Sequence, residues 1–138
     1  MGVVEQPVTD SIGQGGIAEV YKAIQKSLER EVAIKVLSTE YTHDSEIIKR
    51  FERESLLIAR LNHPNIVQVY DMGFEENRHY IVMDYIKGKD LSRIIKHKKI
   101  GPRRTCKIIL KIAQALAYAH GQKVVHRDIK PSNILLSQ

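Results

Sequence analysis

The chain has 138 residues, 43% of them hydrophobic, and its 22 Lys and Arg against 16 Asp and Glu give a formal net charge of +6. This length and composition predict one globular unit with a real core, and they argue against a disordered or repetitive protein. Cys106 is the only cysteine, so an internal disulfide is excluded. Residues 1–9 lack the apolar core of a secretory signal and no run approaches a membrane span, so we expect a cytoplasmic location.

Much of the positive charge lies in one part of the chain. A nucleic-acid or anionic membrane surface is one interpretation, and a solvated helix and loop face is the other. No aromatic side chains for base stacking are interleaved, so we expect a solvated face and no nucleic-acid partner. The six His are scattered without paired ligand spacing, and we expect no structural zinc. The basic residues concerned are Lys96, Lys98, Lys99, Arg103, Arg104, Lys107 and Lys111.

A glycine-rich segment lies between two strand-like pieces at residues 12–21. Glycines at three positions would let backbone amides approach phosphate oxygens without a Cβ in the way. A hairpin turn that binds nothing is the alternative explanation. The residues that carry the pattern are Ile12, Gly13, Gln14, Gly15, Gly16, Ala18 and Val20.

Residues 32–37 alternate as a strand, which predicts that Lys35 shares a face with Ala33 and Leu37. Residues 45–61 follow as a helix with apolar side chains at Ile47, Phe51, Ile58 and Leu61. Glu54 occupies the position that completes this stripe, and a carboxylate there either lies at the rim of the core or meets a cation. Lys35 is the candidate cation.

The middle of the chain predicts a turn, two strands and two helices. We expect strands at 66–70 and 79–85, joined by a polar hairpin connection that includes Gly73 and residues 75–78. Asp90 opens a short helix, where an aspartate is also an ordinary cap. A longer helix begins at Pro102 and ends near Gly121.

Residues 126–136, near the end of the chain, carry the most informative motif. Asp128 is followed two residues later by Lys130 and five residues later by Asn133, just before an apolar strand-like triplet. Together with the glycine-rich segment, Lys35 and Glu54, this order and spacing resemble the protein kinase family, and in particular the eukaryotic-type serine/threonine kinases of bacteria.

The resemblance implies roles for these residues. Asp128 would be the catalytic base, Lys130 a phosphate contact and Asn133 a magnesium ligand, while Lys35 and Glu54 would form the pair that positions the ATP phosphates. The nucleotide would lie against the glycine-rich segment. By position, Met83 would be the gatekeeper, Asp84 and Ile86 the hinge, Asp90 a ribose contact, and Val20, Ala33 and Leu135 the apolar contacts of the adenine.

The implied fold is α+β and protein-kinase-like, with a small lobe of antiparallel strands plus one helix at about 8–86 and the first part of a large lobe at 87–138. We expect a domain that stops before the Asp-Phe-Gly motif and exposes an apolar stripe on its long helix, which favours self-association. The implied activity uses ATP and Mg²⁺ to phosphorylate a Ser or Thr of a protein substrate. A non-catalytic fragment, a nucleotide-binding interaction module and a small-molecule kinase are the alternatives.

Overall fold

The computed structural model describes residues 10–137, and for residues 10–15 it describes the backbone alone. The described chain divides into two compact units. Unit 1 runs to Asn62 and resumes from Val67 to Tyr85, whereas unit 2 comprises His63–Ile66 and continues from Ile86. These units were found from the structure, whereas the assignment of residues 8–86 and 87–138 to a small lobe and a large lobe stays a prediction.

Unit 1 is built on an antiparallel sheet of five strands in the order β1-β2-β3-β5-β4. The central strand β3 is the one predicted from alternation at residues 32–37, and it pairs with β2 on one side and β5 on the other. The strands are β1 (Asp10–Gly15), β2 (Ala18–Gln25), β3 (Arg30–Leu37), β4 (Val69–Glu75) and β5 (Arg78–Asp84).

The predicted hairpin between the last two strands is wrong in its bounds. Gly73 lies inside β4, opposite Tyr80, and the connection is a two-residue turn at Glu76 and Asn77. Both turn residues have left-handed φ angles, 47° and 62°. This is the backbone that joins two twisted antiparallel strands most tightly. The sequence gives no glycine at the turn, and Gly73 three residues earlier drew the prediction away from it.

The two faces of the sheet bury separate clusters of apolar side chains. One cluster contains Ala18, Leu37, Phe51 and Ile81, and the other contains Ala23, Val32, Ile34 and Val82. Alternation along β3 therefore sorts its side chains between two cores, as the sequence predicts.

The helix of unit 1, α1 (Ser45–Ala59), is capped by Asp44, whose side chain accepts hydrogen bonds from the N–H groups of Glu46 and Ile47. Its fully buried residues are Phe51 and Ser55, and the Ser55 hydroxyl donates to the Phe51 carbonyl at 2.5 Å. The buried face of α1 runs through Phe51 and Ser55, and Glu54 lies off this face and is exposed. The prediction that Glu54 stands in a buried stripe is wrong for this reason.

Unit 2 contains two helices and a two-stranded antiparallel sheet. Its elements are β6 (Gly88–Asp90), α2 (Leu91–His97), α3 (Pro102–Gly121) and β7 (Leu135–Ser137). The register pairs Gly88 with Ser137 and Asp90 with Leu135. At Gly88 the two backbones come so close that a Cβ would lie 2.0 Å from the carbonyl oxygen of Leu136.

Both helix starts in unit 2 agree with the sequence. Asp90 caps α2, accepting a hydrogen bond from the Arg93 N–H at 3.0 Å and another from the Ser92 hydroxyl. The guanidinium of Arg93 adds an ion pair at 3.1 Å. Pro102 stands in the first turn of α3, where a missing N–H costs no helical hydrogen bond.

Much of α3 faces solvent. Ala115 and Ala119 are its buried residues, whereas Ile109 and Leu110 are each 58% exposed. Ile109 belongs to the predicted apolar stripe of this helix, whereas Leu110 lies outside it, and self-association through exposed apolar residues stays a prediction. No helix among residues 10–137 combines the length and the apolar character needed to cross a membrane.

We predict that Gly88→Ala destabilises the pairing of β6 with β7. The added methyl group would meet a backbone carbonyl that cannot rotate away, so the free energy of unfolding should fall by about 1–3 kcal/mol. Chemical denaturation measures the change. Gly121→Ala is the matched control, because its Cβ would have no heavy atom within 4 Å and alanine is the better helix former. Equal stability of the two variants would contradict the close approach.

We predict that Asp90→Ala costs about 1 kcal/mol of unfolding free energy at neutral pH through loss of the α2 cap. The Ser92 hydroxyl, the largest cause, and the Arg93 N–H hold the pKa of Asp90 below its ordinary value. A depressed folded-state pKa gives stability that is present above about pH 3.9 and is lost as the pH falls through the folded-state pKa. The difference between wild type and variant should therefore shrink in acid, and a constant difference would contradict the cap.

Candidate functional site

Four of the predicted nucleotide residues lie on one face of the unit 1 sheet. Lys35 is directly opposite Val20 on β2, and Ala33 is directly opposite Met83 on β5. Directly opposed residues of antiparallel strands point to the same face. The sheet therefore brings three apolar side chains and one half-buried lysine together on that face.

The glycine-rich segment forms the β1–β2 hairpin. Gly13 and Gly15 lie in β1, the pairing shifts register between Ser11 and Gly13, and Gly16 turns the chain with a φ of 51°. A Cβ on Gly16 would have no heavy atom within 4 Å, so the left-handed backbone, not packing, requires glycine there. The side chains of Ile12 and Gln14 lie outside the described residues.

Ala18 stands where the glycine-rich pattern of protein kinases, G-x-G-x-x-G, has its third glycine. Its side chain is fully buried in the cluster that contains Leu37 and Phe51. The methyl group that a glycine would lack is thus part of the core between the sheet and α1. The substitution leaves the turn at Gly16 unaffected.

The predicted pair of Lys35 and Glu54 is not formed. Neither side chain has an ion-pair partner in the part of the chain that the structure describes. The carboxylate that connects α1 to the sheet is Glu52, whose Oε1 lies 3.2 Å from Nδ1 of His79 on β5. Glu52 and Glu54 are two residues apart on a helix, about 200° around its axis, so they point in different directions.

In unit 2, Asp128, Lys130 and Asn133 come together as the sequence predicts. The Asn133 Nδ2 donates to the backbone carbonyl of Asp128 at 2.9 Å and to its Oδ2 at 3.3 Å. The Lys130 Nζ lies 3.2 Å from the same Oδ2. Among the described residues, Oδ1 of Asp128 has no partner, so this carboxylate oxygen is able to accept a hydrogen bond or a proton from another group.

The loop that carries these residues is held by a hydrogen bond between its backbone and one of its own side chains. The N–H of Asp128 donates to Nδ1 of His126 at 3.1 Å, and Arg127 between them has a left-handed φ of 67°. A non-glycine residue rarely adopts this backbone, and such strain concentrates at functional sites. Further along, the carbonyl of Ile134 accepts a hydrogen bond from the Leu91 N–H at 2.8 Å, which joins the end of the loop to the start of α2.

The sheet of unit 2 places the predicted ribose contact beside a predicted adenine contact. Asp90 and Leu135 are opposite each other in the β6–β7 pair. The Asp90 carboxylate is largely occupied as a helix cap, with a side chain that is 16% exposed, while Leu135 is 47% exposed. The sequence left cap and ribose contact open; the cap is confirmed, and the ribose contact stays a prediction.

The residues of the loop fit one position of a hard divalent cation. With Nδ2 of Asn133 used for hydrogen bonds, its amide oxygen is left as a ligand, and oxygen donors are those that Mg²⁺ prefers. Residues 16–137, whose side chains the structure describes, contain no group of three or more His, Cys, Asp or Glu that could cage a metal alone. A magnesium ion held here would therefore complete its coordination with phosphate oxygens and water, as is usual for this ion.

Sequence reasoning missed two residues that support the site. Gly88 permits the backbone approach of β6 to β7, and His126 accepts the N–H of Asp128. A glycine inside a short polar strand is a signal of close backbone approach and could have indicated Gly88. Nothing in the sequence alone indicates which atom His126 contacts.

Comparisons with curated proteins find kinases over most of the chain. It is 47% identical over 126 residues to the serine/threonine-protein kinase PrkC of Bacillus subtilis, covering 91% of this chain and 19% of that protein. It is 42% identical over 132 residues to the serine/threonine-protein kinase PknB of Mycolicibacterium smegmatis, covering 92% of this chain and 21% of that protein. The chain thus spans about a fifth of the length of these relatives.

Solved structures and a family model agree with these matches. The crystal structure of the Mycobacterium tuberculosis PknI kinase domain superposes with a TM-score of 0.80 at 33% identity, covering 94% of this chain and 53% of that one. The predicted kinase-like α+β fold is confirmed by this similarity. The family model described as protein kinase domain matches residues 7–138. This chain belongs to the protein kinase family.

Proposed function

We propose that the chain carries the site of a serine/threonine protein kinase, which transfers the γ-phosphoryl group of Mg-ATP to a protein hydroxyl. The observation that carries the proposal is the arrangement of Asp128, Lys130 and Asn133, in which one carboxylate oxygen is held and the other is open. Use of ATP and a divalent metal is general in this family.

Unit 1 would hold the nucleotide. The adenine would lie against the apolar face made by Val20, Ala33 and Met83, which lie on three neighbouring strands and share one face of the sheet. Lys35 on the same face would contact the α- and β-phosphates as a compact point charge. The N–H groups around Gly16 would approach the phosphates, because no side chain stands in the way there.

The backbone of Asp84 and Ile86 would read the edge of the adenine. Asp84 is the last residue of β5, opposite Val32, and Ile86 follows two residues later. Backbone N–H and C=O groups give a fixed donor and acceptor pattern, which suits recognition of a planar base. Leu135 of unit 2, which is 47% exposed, stays a predicted adenine contact.

Unit 2 would supply the proton acceptor. Oδ1 of Asp128 would take the proton of the substrate hydroxyl as the hydroxyl oxygen bonds to the γ-phosphorus. The bond between that phosphorus and the β,γ-bridging oxygen breaks, and ADP leaves with its electron pair. Lys130 would hold the transferred group, and Asn133 keeps the Asp128 carboxylate oriented for the proton.

The amide oxygen of Asn133 would be a metal ligand. A bound Mg²⁺ would neutralise charge that develops on the phosphate oxygens. Lys130 also bears on the substrate class, since a lysine two residues after the base is typical of serine- and threonine-directed members of the family. Arg127 before the base would receive a phosphate on the activation segment through a bidentate contact.

A second candidate function, nucleotide binding without transfer, is favoured by one observation. Lys35 and Glu54 do not pair, and Glu54 is exposed. In the family's chemistry this pair must be in place for transfer. A chain that kept this arrangement would bind Mg-ATP on unit 1 and leave the phosphate in place.

We predict that Mg-ATP raises the melting temperature of the chain and that Lys35→Met abolishes this effect. Nucleotide at a hundred times its dissociation constant adds about 2.7 kcal/mol of stability, which shifts the melting temperature by on the order of 10 °C. Lys49→Met, which removes an exposed lysine of α1, is the matched control and should keep the full shift. No shift in wild type would contradict both candidate functions.

We predict that Asp128→Asn lowers phosphoryl transfer by a factor of at least about 100 and leaves Mg-ATP affinity unchanged. The factor is the usual contribution of a positioned general base. Incorporation of γ-phosphate into a generic acceptor protein, followed by identification of the phosphorylated residue type, measures it. Transfer at the wild-type rate in the variant would rule out Asp128 as the base, whereas binding without transfer in wild type would support the second candidate.

A further inference from the structure

A polar network crosses the end of the unit 1 sheet where β5 ends. It begins on β2 and β3, where the Arg30 Nε donates to Oε1 of the buried Gln25 at 2.7 Å. The Arg30 guanidinium then stacks over the Tyr70 ring on β4, 3.6 Å from the ring centroid. The Tyr70 hydroxyl in turn donates to Oδ1 of Asp84 on β5. The network thereby connects β2, β3 and β4 to one carboxylate on β5.

Asp84 is held at three of its polar atoms. Its Oδ1 accepts from Tyr70, and its Oδ2 accepts from the Gln68 N–H at 2.9 Å. Its own N–H donates to the Gln68 carbonyl at 2.9 Å. Because side chain and N–H are both fixed, the orientation of the following peptide group of Asp84 is restricted as well.

The neighbouring residue has an anchor of its own. The Lys22 Nζ lies 4.7 Å from the centroid of the Tyr85 ring and 2.5 Å from Oε1 of Glu31. Asp84 ends β5 and Tyr85 follows it, and the two residues are held from opposite sides, Asp84 by Tyr70 of β4 and Tyr85 by Lys22 of β2. None of these side chains has a part in the transfer chemistry proposed above.

We propose that Tyr70 is a positioning residue for nucleotide recognition, which acts through Asp84 to set the backbone that reads the adenine edge. This inference rests on the proposed function. Tyr70 itself would not contact the nucleotide, and its ring and its hydroxyl have different partners. Arg30 holds the ring in place, and the hydroxyl, which is therefore also fixed, orients Asp84 through its hydrogen bond.

The hydrogen bond persists over the whole neutral range. The bond to Asp84, burial and the nearby negative charge together raise the pKa of Tyr70 above its ordinary value of 10.0. The hydroxyl therefore keeps its proton wherever a kinase would be assayed. A carboxylate acceptor makes the bond stronger than one between neutral groups.

The test is titration of the chain with Mg-ATP, comparing wild type with Tyr70→Phe. Loss of one such hydrogen bond should raise the dissociation constant roughly 2- to 10-fold. Tyr80→Phe is the matched control, since Tyr80 lies on β5 of the same sheet and its hydroxyl does not contact Asp84. It should bind as wild type does. Both variants should melt within a few degrees of wild type without nucleotide.

A double-mutant cycle separates positioning from general weakening of the fold. In an Asp84→Ala background, Tyr70→Phe should have no further effect on the dissociation constant, because the residue through which it acts is gone. An undiminished effect in that background overturns the inference. Equal dissociation constants of Tyr70→Phe and Tyr80→Phe for Mg-ATP also overturn the inference, and they leave the proposed function intact. Wild type that fails to bind Mg-ATP overturns the proposed function and this inference together.

Discussion

The register of β3 between β2 and β5 is the constraint on which unit 1 depends. Because side chains alternate along a strand, a slip of one residue would exchange its two faces. The register that buries Leu37 against α1 is the same one that puts Lys35 opposite Val20 and Ala33 opposite Met83. Packing of the core and placement of the candidate nucleotide residues therefore depend on the same register. A substitution that disturbed the core packing would also displace the candidate nucleotide residues.

In unit 2 the comparable constraint is the pairing of β6 with β7. The loop with Asp128 and Asn133 leads into β7, and β7 is held by a strand that ends at the cap of α2. Gly88 makes the approach possible, and the Leu91 N–H adds a hydrogen bond at the end of the loop. The loop is exposed, so its ion pair between Lys130 and Asp128 contributes little stability. The ion pair instead orients the Asp128 carboxylate, and the hydrogen bond from the Asn133 amide orients the same carboxylate.

Local patterns in the sequence predicted the elements, and contacts across distant elements were harder. Alternation placed Lys35 on its face, and spacing within eleven residues brought Asp128 to Asn133, because both depend on neighbours along the chain. The period of a helix fixes a stripe but not its phase, so Glu54 was placed in the core when the small Ser55 is the residue that packs there. The bond from Tyr70 to Asp84 joins two strands through a hairpin, and nothing local indicates it.

The proposed function requires Mg-ATP to bind to the sheet face that carries Lys35 and to the turn at Gly16. Amide chemical-shift mapping of the isotope-labelled chain during titration with Mg-ATP tests it most directly. We expect saturable shifts at Gly16, Lys35 and Met83, residues that neighbouring strands bring to one side of the sheet. A net charge of +6 can also attract a nucleotide without a site. Shifts confined to the basic residues of α2 and α3, and removed by salt, would show that Mg-ATP does not bind at this sheet face.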